Sequence, residues 1–154
     1  MSPDVSFRAA TREDLPALVR LLADDMLGAS RENASDPLPE AYGKAFDAIE
    51  RDPNNELVVA EMNGKVAGMV QLTYIPGISR QGSWRALLEA VRVDASLRST
   101  GLGRKLIAHA IECARARGCR MVQLTSDKSR VDAIRFYESL GFVASHQGLK
   151  LELK

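Results

Sequence analysis

The sequence predicts an α+β domain, a mixed sheet with helices on its faces, and three observations carry that reading. Two apolar-alternating runs flank Asn63-Gly64, the dipeptide best suited to a two-residue hairpin turn. Several longer segments repeat apolar residues at helical spacing instead. Glycines and prolines fall singly between these segments, and no repeat or low-complexity tract divides them. The elements therefore follow the order β-α-α-β-β-β-α-β-α-β in one domain spanning residues 1–154.

Val5 to Ala9 alternates and predicts a first strand. Thr11, with Asp14 three residues on, has the form of a helix N-cap with an acidic first turn, after which Leu15, Leu18, Val19, Leu22 and Met26 recur at helical spacing. Gly28 to Pro39 is a polar break. Glu40 to Arg51 predicts a second helix carrying Ala41, Ala45, Phe46 and Ile49, stopped by Asp52-Pro53-Asn54-Asn55. The hairpin joins a strand from Glu56 to Met62 to one from Lys65 to Tyr74. After a loop with Pro76, Gly77 and Gly82, a further strand runs from about Trp84 to Asp94. A helix from about Thr100 to Arg117 aligns Leu102, Leu106, Ile107, Ala110, Ile111 and Ala114 and ends at Gly118. Arg120 to Thr125 reads as a strand, Arg130 to Leu140 as a helix closed by Gly141, and Phe142 to Leu153 as one or two final strands. The expected sheet thus has six to seven strands.

Composition narrows what such a domain does. A globule of 154 residues buries roughly 68–70% of the surface of its unfolded chain, so neither metal nor disulfide is required to hold it. Lys and Arg number 21 against 20 Asp and Glu, a net charge of +1, so no general field draws the protein to nucleic acid or anionic lipid. Any anion site must be local. The longest unbroken apolar run, Leu57 to Ala60, is far below the roughly 20 residues of a membrane span. The start Met1-Ser2-Pro3-Asp4 resembles no secretory leader, and a cytoplasmic protein with no membrane partner is expected. Cys113 and Cys119 lack C-x-x-C spacing and read as buried free thiols, with a disulfide as the alternative. With His109 and His146 the only histidines, no metal site is expected.

The chemistry concentrates in Glu89-Ala90-Val91-Arg92-Val93-Asp94-Ala95-Ser96-Leu97-Arg98-Ser99-Thr100-Gly101-Leu102-Gly103-Arg104, which joins a strand to a helix. The first amides of a helix have no intrahelical partner and its dipole favours negative charge, so this junction suits a phosphate group. Gly101 and Gly103 remove side chains where a pyrophosphate would approach the backbone, and Arg98 and Arg104 add charge there. No Gly-Lys-Ser/Thr follows as in a P-loop, and no third glycine as in a dinucleotide fingerprint. An unoccupied turn is the alternative.

Arg98-x-x-Gly101-x-Gly103 after a Val-x-Val strand resembles the pyrophosphate loop of the GNAT family of N-acetyltransferases, which bind acetyl-CoA. Ala133-Ile134-Arg135-Phe136-Tyr137-Glu138-Ser139-Leu140-Gly141-Phe142 is similar to the closing helix of that family, and the order of elements resembles it over almost the whole chain. The resemblance implies the acyl-CoA N-acyltransferase fold, an α/β three-layer arrangement with a mixed, mostly antiparallel sheet and helices on both faces. It implies a bulged strand that parts from its neighbour, with Val91, Arg92 and Val93 along the pantetheine arm. Arg98, Ser99, Thr100, Gly101, Leu102, Gly103 and Arg104 would hold the pyrophosphate, chiefly through their amides. An amide of the bulged strand, Val91 first, would polarise the thioester carbonyl.

Glu89 is the expected base. It alternates with Val91 and Val93 and so shares their face unless the bulge intervenes, and apolar neighbours would raise its basicity. The alternative is an ion pair with Arg85 or Arg92. By the resemblance, Tyr137 would donate its proton to the departing thiolate of the coenzyme; the alternative is an amphipathic core tyrosine beside Phe136.

The acceptor is expected to be a small primary amine attacking directly in a ternary complex, with a protein N-terminus or lysine second. Asp24, Asp25 and Glu32 would draw an ammonium group and Arg80 and Arg85 an anionic group, or all five are solvated surface charge. A non-catalytic acyl-CoA-binding regulatory domain is the competing class; a nucleic-acid module is disfavoured by the charge balance and by an aromatic content of 5%. The resemblance also implies a homodimer formed through final strands or sheet edges.

Overall fold

The computed structural model describes residues 4–154. Among them the strands are β1 (Val5–Ala9), β2 (Asn55–Met62), β3 (Lys65–Pro76), β4 (Trp84–Val93) and β5 (Cys119–Leu124). The helices are α1 (Leu15–Ala23), α2 (Met26–Arg31), α3 (Glu40–Arg51), α4 (Leu102–Ala116) and α5 (Val131–Ser139). The chain divides into two compact units, one up to Gln123 and one from Leu124 onward.

In the first unit the strands lie in the order β1-β2-β3-β4-β5, with β1/β2, β2/β3 and β3/β4 antiparallel. Asn63 and Gly64 both adopt left-handed φ, 52° and 75°, as a primed hairpin turn requires, and Met62 is placed opposite Lys65. Val58, Val59 and Ala60 are buried in succession, so β2 is covered on both faces. Leu18 and Leu21 of α1 pack on Val59 and Met69. Gly68, one residue along β3, lies instead beneath Leu106 of α4, whose side chain would be 3.6 Å from a Cβ at that position. This alternation puts α1 and α4 on opposite faces, the expected layering. The buried stripe of α4 is Leu102, Leu106, Ile107, Ala110 and Ala114, and the Arg117 guanidinium just beyond it lies 4.1 Å from the centre of the Tyr74 ring.

Several expectations change. The first helix does not run through to Met26: it ends at Asp24, and Asp25 starts a separate short helix by accepting a hydrogen bond from Gly28 N at 2.5 Å. A Cβ at Gly28 would stand 1.8 Å from the Leu22 carbonyl oxygen, and Met26 is exposed rather than part of the core. A single helical turn, Ser79–Gly82, interrupts the β3–β4 connection, with Arg80 and Gln81 at φ 54° and 62°. The final strands expected over 142–153 are not formed, so the sheet has five strands rather than six or seven. The alternation there is real, but a strand exists only where a neighbour accepts its backbone hydrogen bonds. Both cysteines are free thiols on the expected elements, half-buried rather than fully buried.

A partly buried ion cluster secures the entry to α1. Arg8 of β1 donates to both oxygens of Asp14, at 2.7 and 3.0 Å, and to Glu61 of β2 at 2.5 Å. Asp14 also accepts from the N–H and the hydroxyl of Thr11. The Arg8 guanidinium, reinforced by the Thr11 donors, holds the Asp14 carboxyl below the usual carboxylate range. Asp14→Asn is expected to lower the unfolding free energy by about 1–2 kcal/mol at neutral pH, a figure reduced for the exposure of Arg8. The lowered carboxyl contributes fully above its unfolded pKa of about 3.9 and ceases to contribute as pH falls through its folded value. Urea unfolding curves of wild type and variant should therefore converge in acid.

Candidate active site

The pairing of β4 with β3 breaks where the sequence places a bulge. Gln71 faces Glu89 and Met69 faces Arg92, so Ala90 and Val91 together oppose the single residue Val70. Ala90 takes φ +54°, a conformation that costs an L-residue about 1–2 kcal/mol and marks the bulge, beyond which Arg92 and Val93 pair again with Met69 and Gly68. Gly68 permits the close approach that remains, because a Cβ there would lie 2.9 Å from the Arg92 carbonyl oxygen. Beyond Val93 the Asp94 N–H still donates to Ala67 O at 2.8 Å, and the chain then enters a 3-10 turn, Ala95–Leu97.

This geometry alters the reading of Glu89. Its side chain is exposed, not set among apolar neighbours, and the alternation that would align it with Val91 and Val93 is interrupted at Ala90. Arg92 is half-buried and turned to internal work: it lies 3.6 Å from Asp25 and donates to the Val91 carbonyl at 2.9 Å. Beyond the bulge its backbone and that of Val93 pair again with Met69 and Gly68 of β3, and Val91 lies in the bulge itself.

The loop before α4 is ordered by its own short side chains. Asp94 accepts from Ser96 N at 2.9 Å and from the Ser96 hydroxyl at 2.6 Å, and Thr100 Oγ1 donates to Leu97 O at 2.5 Å. Ser99 and Gly101 then take left-handed φ, 68° and 90°, and α4 begins at Leu102. The Lys105 N–H donates to Gly101 O, closing the first turn. The amides of Ser99, Gly101, Leu102, Gly103 and Arg104 donate to no backbone carbonyl among the described residues. Alternating left- and right-handed residues ahead of a helix aim such amides into one concavity, which together with the helix dipole suits a polyanion. Burial of Leu102 and Leu106 fixes the helix start, while Arg98, Ser99, Thr100, Gly101 and Arg104 stay exposed.

In the second unit Tyr137 lies on α5 with its ring against Phe136 and Phe142, at centroid separations of 5.4 and 5.8 Å. Its carbonyl accepts from the N–H groups of Leu140 and Phe142 as the helix closes at Gly141, φ 99°. The aromatic setting matches the expected motif and is equally that of an amphipathic core tyrosine. Of the acidic residues assigned to an ammonium group, Asp25 is committed to the α2 cap and to Arg92, and Glu32 accepts from the Tyr42 hydroxyl at 2.8 Å. The sequence reading missed Ala90 and Gly68, whose roles lie in backbone shape, and the Asp25–Arg92 pair, which joins segments distant along the chain.

A five-stranded sheet with helices on both faces, whose bulged strand β4 leads into the start of α4, has the fold of an acetyltransferase. The chain belongs to the acetyltransferase (GNAT) family, whose model matches residues 16–142, and is an N-acetyltransferase of that family. It is 30% identical over 144 residues to the aminoalkylphosphonate N-acetyltransferase of Salmonella typhimurium, covering 94% of this chain and 88% of that one. It is 37% identical over 90 residues to the glucosamine 6-phosphate N-acetyltransferase of Trypanosoma brucei brucei, covering 58% of this chain and 59% of that one. The solved structure of a transcriptional regulator from Bacillus halodurans C-125 is 50% identical, with a TM-score of 0.94, covering 97% of this chain and 100% of that one.

Two substitutions probe this backbone. Gly101→Val adds a β-branched side chain at φ +90° and should weaken coenzyme A binding at least about tenfold by calorimetry. Ala90→Gly relieves the left-handed strain and should leave the melting temperature unchanged or raised, whereas Ala90→Val should lower it.

Proposed function

We propose that the protein transfers an acetyl group from acetyl-CoA to the primary amine of a small molecule, by direct attack in a ternary complex. The observation that carries this is the union of the Ala90 bulge with the unpaired amides of Ser99, Gly101, Leu102, Gly103 and Arg104. Those amides, with Arg98 and Arg104, bind the pyrophosphate, and Thr100 and Leu102 set the loop and the helix start. Val91, Arg92 and Val93, at and just after the bulge, take the pantetheine arm. An N–H there, Val91 first, donates to the thioester carbonyl and stabilises the charge that develops on its oxygen.

An alkyl amine is almost fully protonated at neutral pH, so a proton must leave before attack. Glu89 is the proposed acceptor, and its exposure favours a route through water over direct contact. Tyr137 is the proposed donor to the departing thiolate, since a phenol holds its proton at neutral pH. The two relatives named for their acceptors act on amines that also carry a phosphonate or a phosphate. A small amine bearing such a group is therefore the first substrate class to try here, with Arg80 and Arg85 as its proposed anion partners.

The similarity to a transcriptional regulator supports a second reading, a domain that binds acyl-CoA as a signal. Free-thiol release across a panel of aminoalkylphosphonates, amino sugar phosphates, polyamines and lysine peptides separates the two. Turnover with a small amine supports the transferase, and coenzyme binding without turnover on any amine supports the regulator. Tyr137→Phe should lower turnover about 10- to 1000-fold with little change in coenzyme affinity. Unchanged turnover at saturating substrate removes Tyr137 from the reaction.

A further inference from the structure

The face of β3 that meets α1 through Met69 carries Gln71 and Thr73 next, because alternate residues of a strand share a face. Gln71 is set opposite Glu89 of β4, and Thr73 opposite Leu87 of β4 and Asn55 of β2. Directly opposed residues project side by side, so Gln71 neighbours Glu89, the proposed proton acceptor, with Cβ atoms about 4.5–5.5 Å apart. Arg85, a proposed partner of an anionic substituent, lies four residues before Glu89 on the regular part of β4 and shares that face.

A hydrogen-bond chain fixes which way the Gln71 amide points. Asn55 Nδ2 donates to Asp52 Oδ2 at 2.9 Å, and an ionised carboxylate only accepts, so the Asn55 amide cannot turn over. The Asn54 N–H and the Asn55 amide hold the Asp52 carboxyl below its usual range and keep it ionised at neutral pH. Asn55 Oδ1 then takes Gln71 Nε2 at 3.1 Å and the Thr73 hydroxyl at 3.0 Å, which uses both of its lone pairs. Gln71 must therefore give its nitrogen to Asn55 and present Oε1 elsewhere. No described residue donates to Gln71 Oε1, and the Glu89 carboxylate has no hydrogen bond or ion pair among the described residues. Two acceptors, one neutral and one charged, stand side by side with no protein donor.

A free primary amine supplies what they lack. Its lone pair must be aimed at the thioester carbon, which leaves two N–H groups to be held. We infer that Gln71 Oε1 accepts one of them while Glu89, directly or through water, accepts the other, so that the pair selects primary over N-substituted amines. The inference rests on the transferase reading above and adds the residue that sets the acceptor class. As the C–N bond forms and the C–S bond breaks, the N–H on the Glu89 side gives its proton to that carboxylate. The N–H on Gln71 stays in the amide product, and the sulfur takes its proton from Tyr137 as proposed above. A secondary amine has no second N–H and leaves Gln71 Oε1 facing carbon. A neutral acceptor suits this task, since it orients the free amine without stabilising the ammonium form as a second carboxylate would. Asn55 is a positioning residue that acts through Gln71.

The test measures free-thiol release by the full chain with 2-aminoethylphosphonate, glucosamine 6-phosphate and putrescine, each beside its N-methyl analogue, and follows the pair that turns over fastest. Wild type should favour the primary amine in kcat/KM by about tenfold or more, because the analogue leaves an acceptor unpaired. Gln71→Met, close in length but without the acceptor, should reduce that preference about three- to tenfold. Asn55→Ala, which frees the Gln71 amide to turn, should weaken the preference too, and the double variant should lower it no further than Gln71→Met alone. The ratio is read within one protein sample, so partial unfolding of a variant does not move it. Equal losses on both amines, additive losses in the double variant, or wild-type turnover without a preference would each overturn the inference while the transferase reading stands. Failure of every amine to turn over, with coenzyme A still bound by calorimetry, would bring down the transferase reading and this inference with it.

Discussion

A bulge sets two residues against one and leaves backbone groups without a ladder partner, and in this protein it is localised at Ala90 and Val91. Up to Glu89, β4 pairs with β3 in regular register; after it, two residues oppose one and φ becomes positive. Unpaired backbone is costly when buried and useful when a ligand can pair with it. The proposed site depends on this: the donor offered to a carbonyl, and the direction in which the chain enters the helix. Gly68 allows the bulge to close against β3, so a residue with no side chain sets the backbone shape from the opposite strand.

Charge plays a secondary part. With a net charge of +1, the protein has no broad field to recruit a polyanion, and the proposed site concentrates donors instead. Main-chain N–H groups from Ser99 to Arg104 are fixed by the left-handed turns at Ser99 and Gly101, and the turns are held by Asp94 and Thr100. Burial of Leu102, Leu106 and Ile107, at about 1.5–3 kcal/mol each, anchors the helix that carries them. Preorganised amides need no reordering when an anion arrives, whereas flexible arginine side chains lose rotamer freedom on engaging one.

Much of this was legible from local patterns. The Asn63-Gly64 hairpin, the second long helix at Glu40–Arg51 and the glycine loop before α4 depend on neighbouring residues, and the sequence reading placed them within a residue or two. What escaped depends on distant segments. The pairing of Asp25 with Arg92, the closeness of Gly68 to Arg92 and the exposure of Glu89 follow from which segments pack against the bulged part of β4, which no spacing rule reports. The last segment failed differently: Leu149, Leu151 and Leu153 carry a strand pattern, but pattern specifies a face and not the neighbour that must complete it.

The Asp25–Arg92 contact changes where acceptor selectivity should be sought. Both side chains are largely shielded, at 17% exposure for Arg92 and 23% for Asp25, and removing either leaves the other short of a partner in a poorly solvated place. Asp25 also starts α2, so one carboxylate links the break after α1 to the bulged strand. A group with two structural duties is poorly suited to greet a substrate ammonium, because engaging it would weaken the cap and the ion pair together. In the proposed reaction, selectivity among amines therefore falls to groups without such duties, and an anionic substituent would offer the clearest handle. A basic residue can hold that substituent at little cost, while an acidic residue left to hold the amine as ammonium would oppose the deprotonation that attack requires.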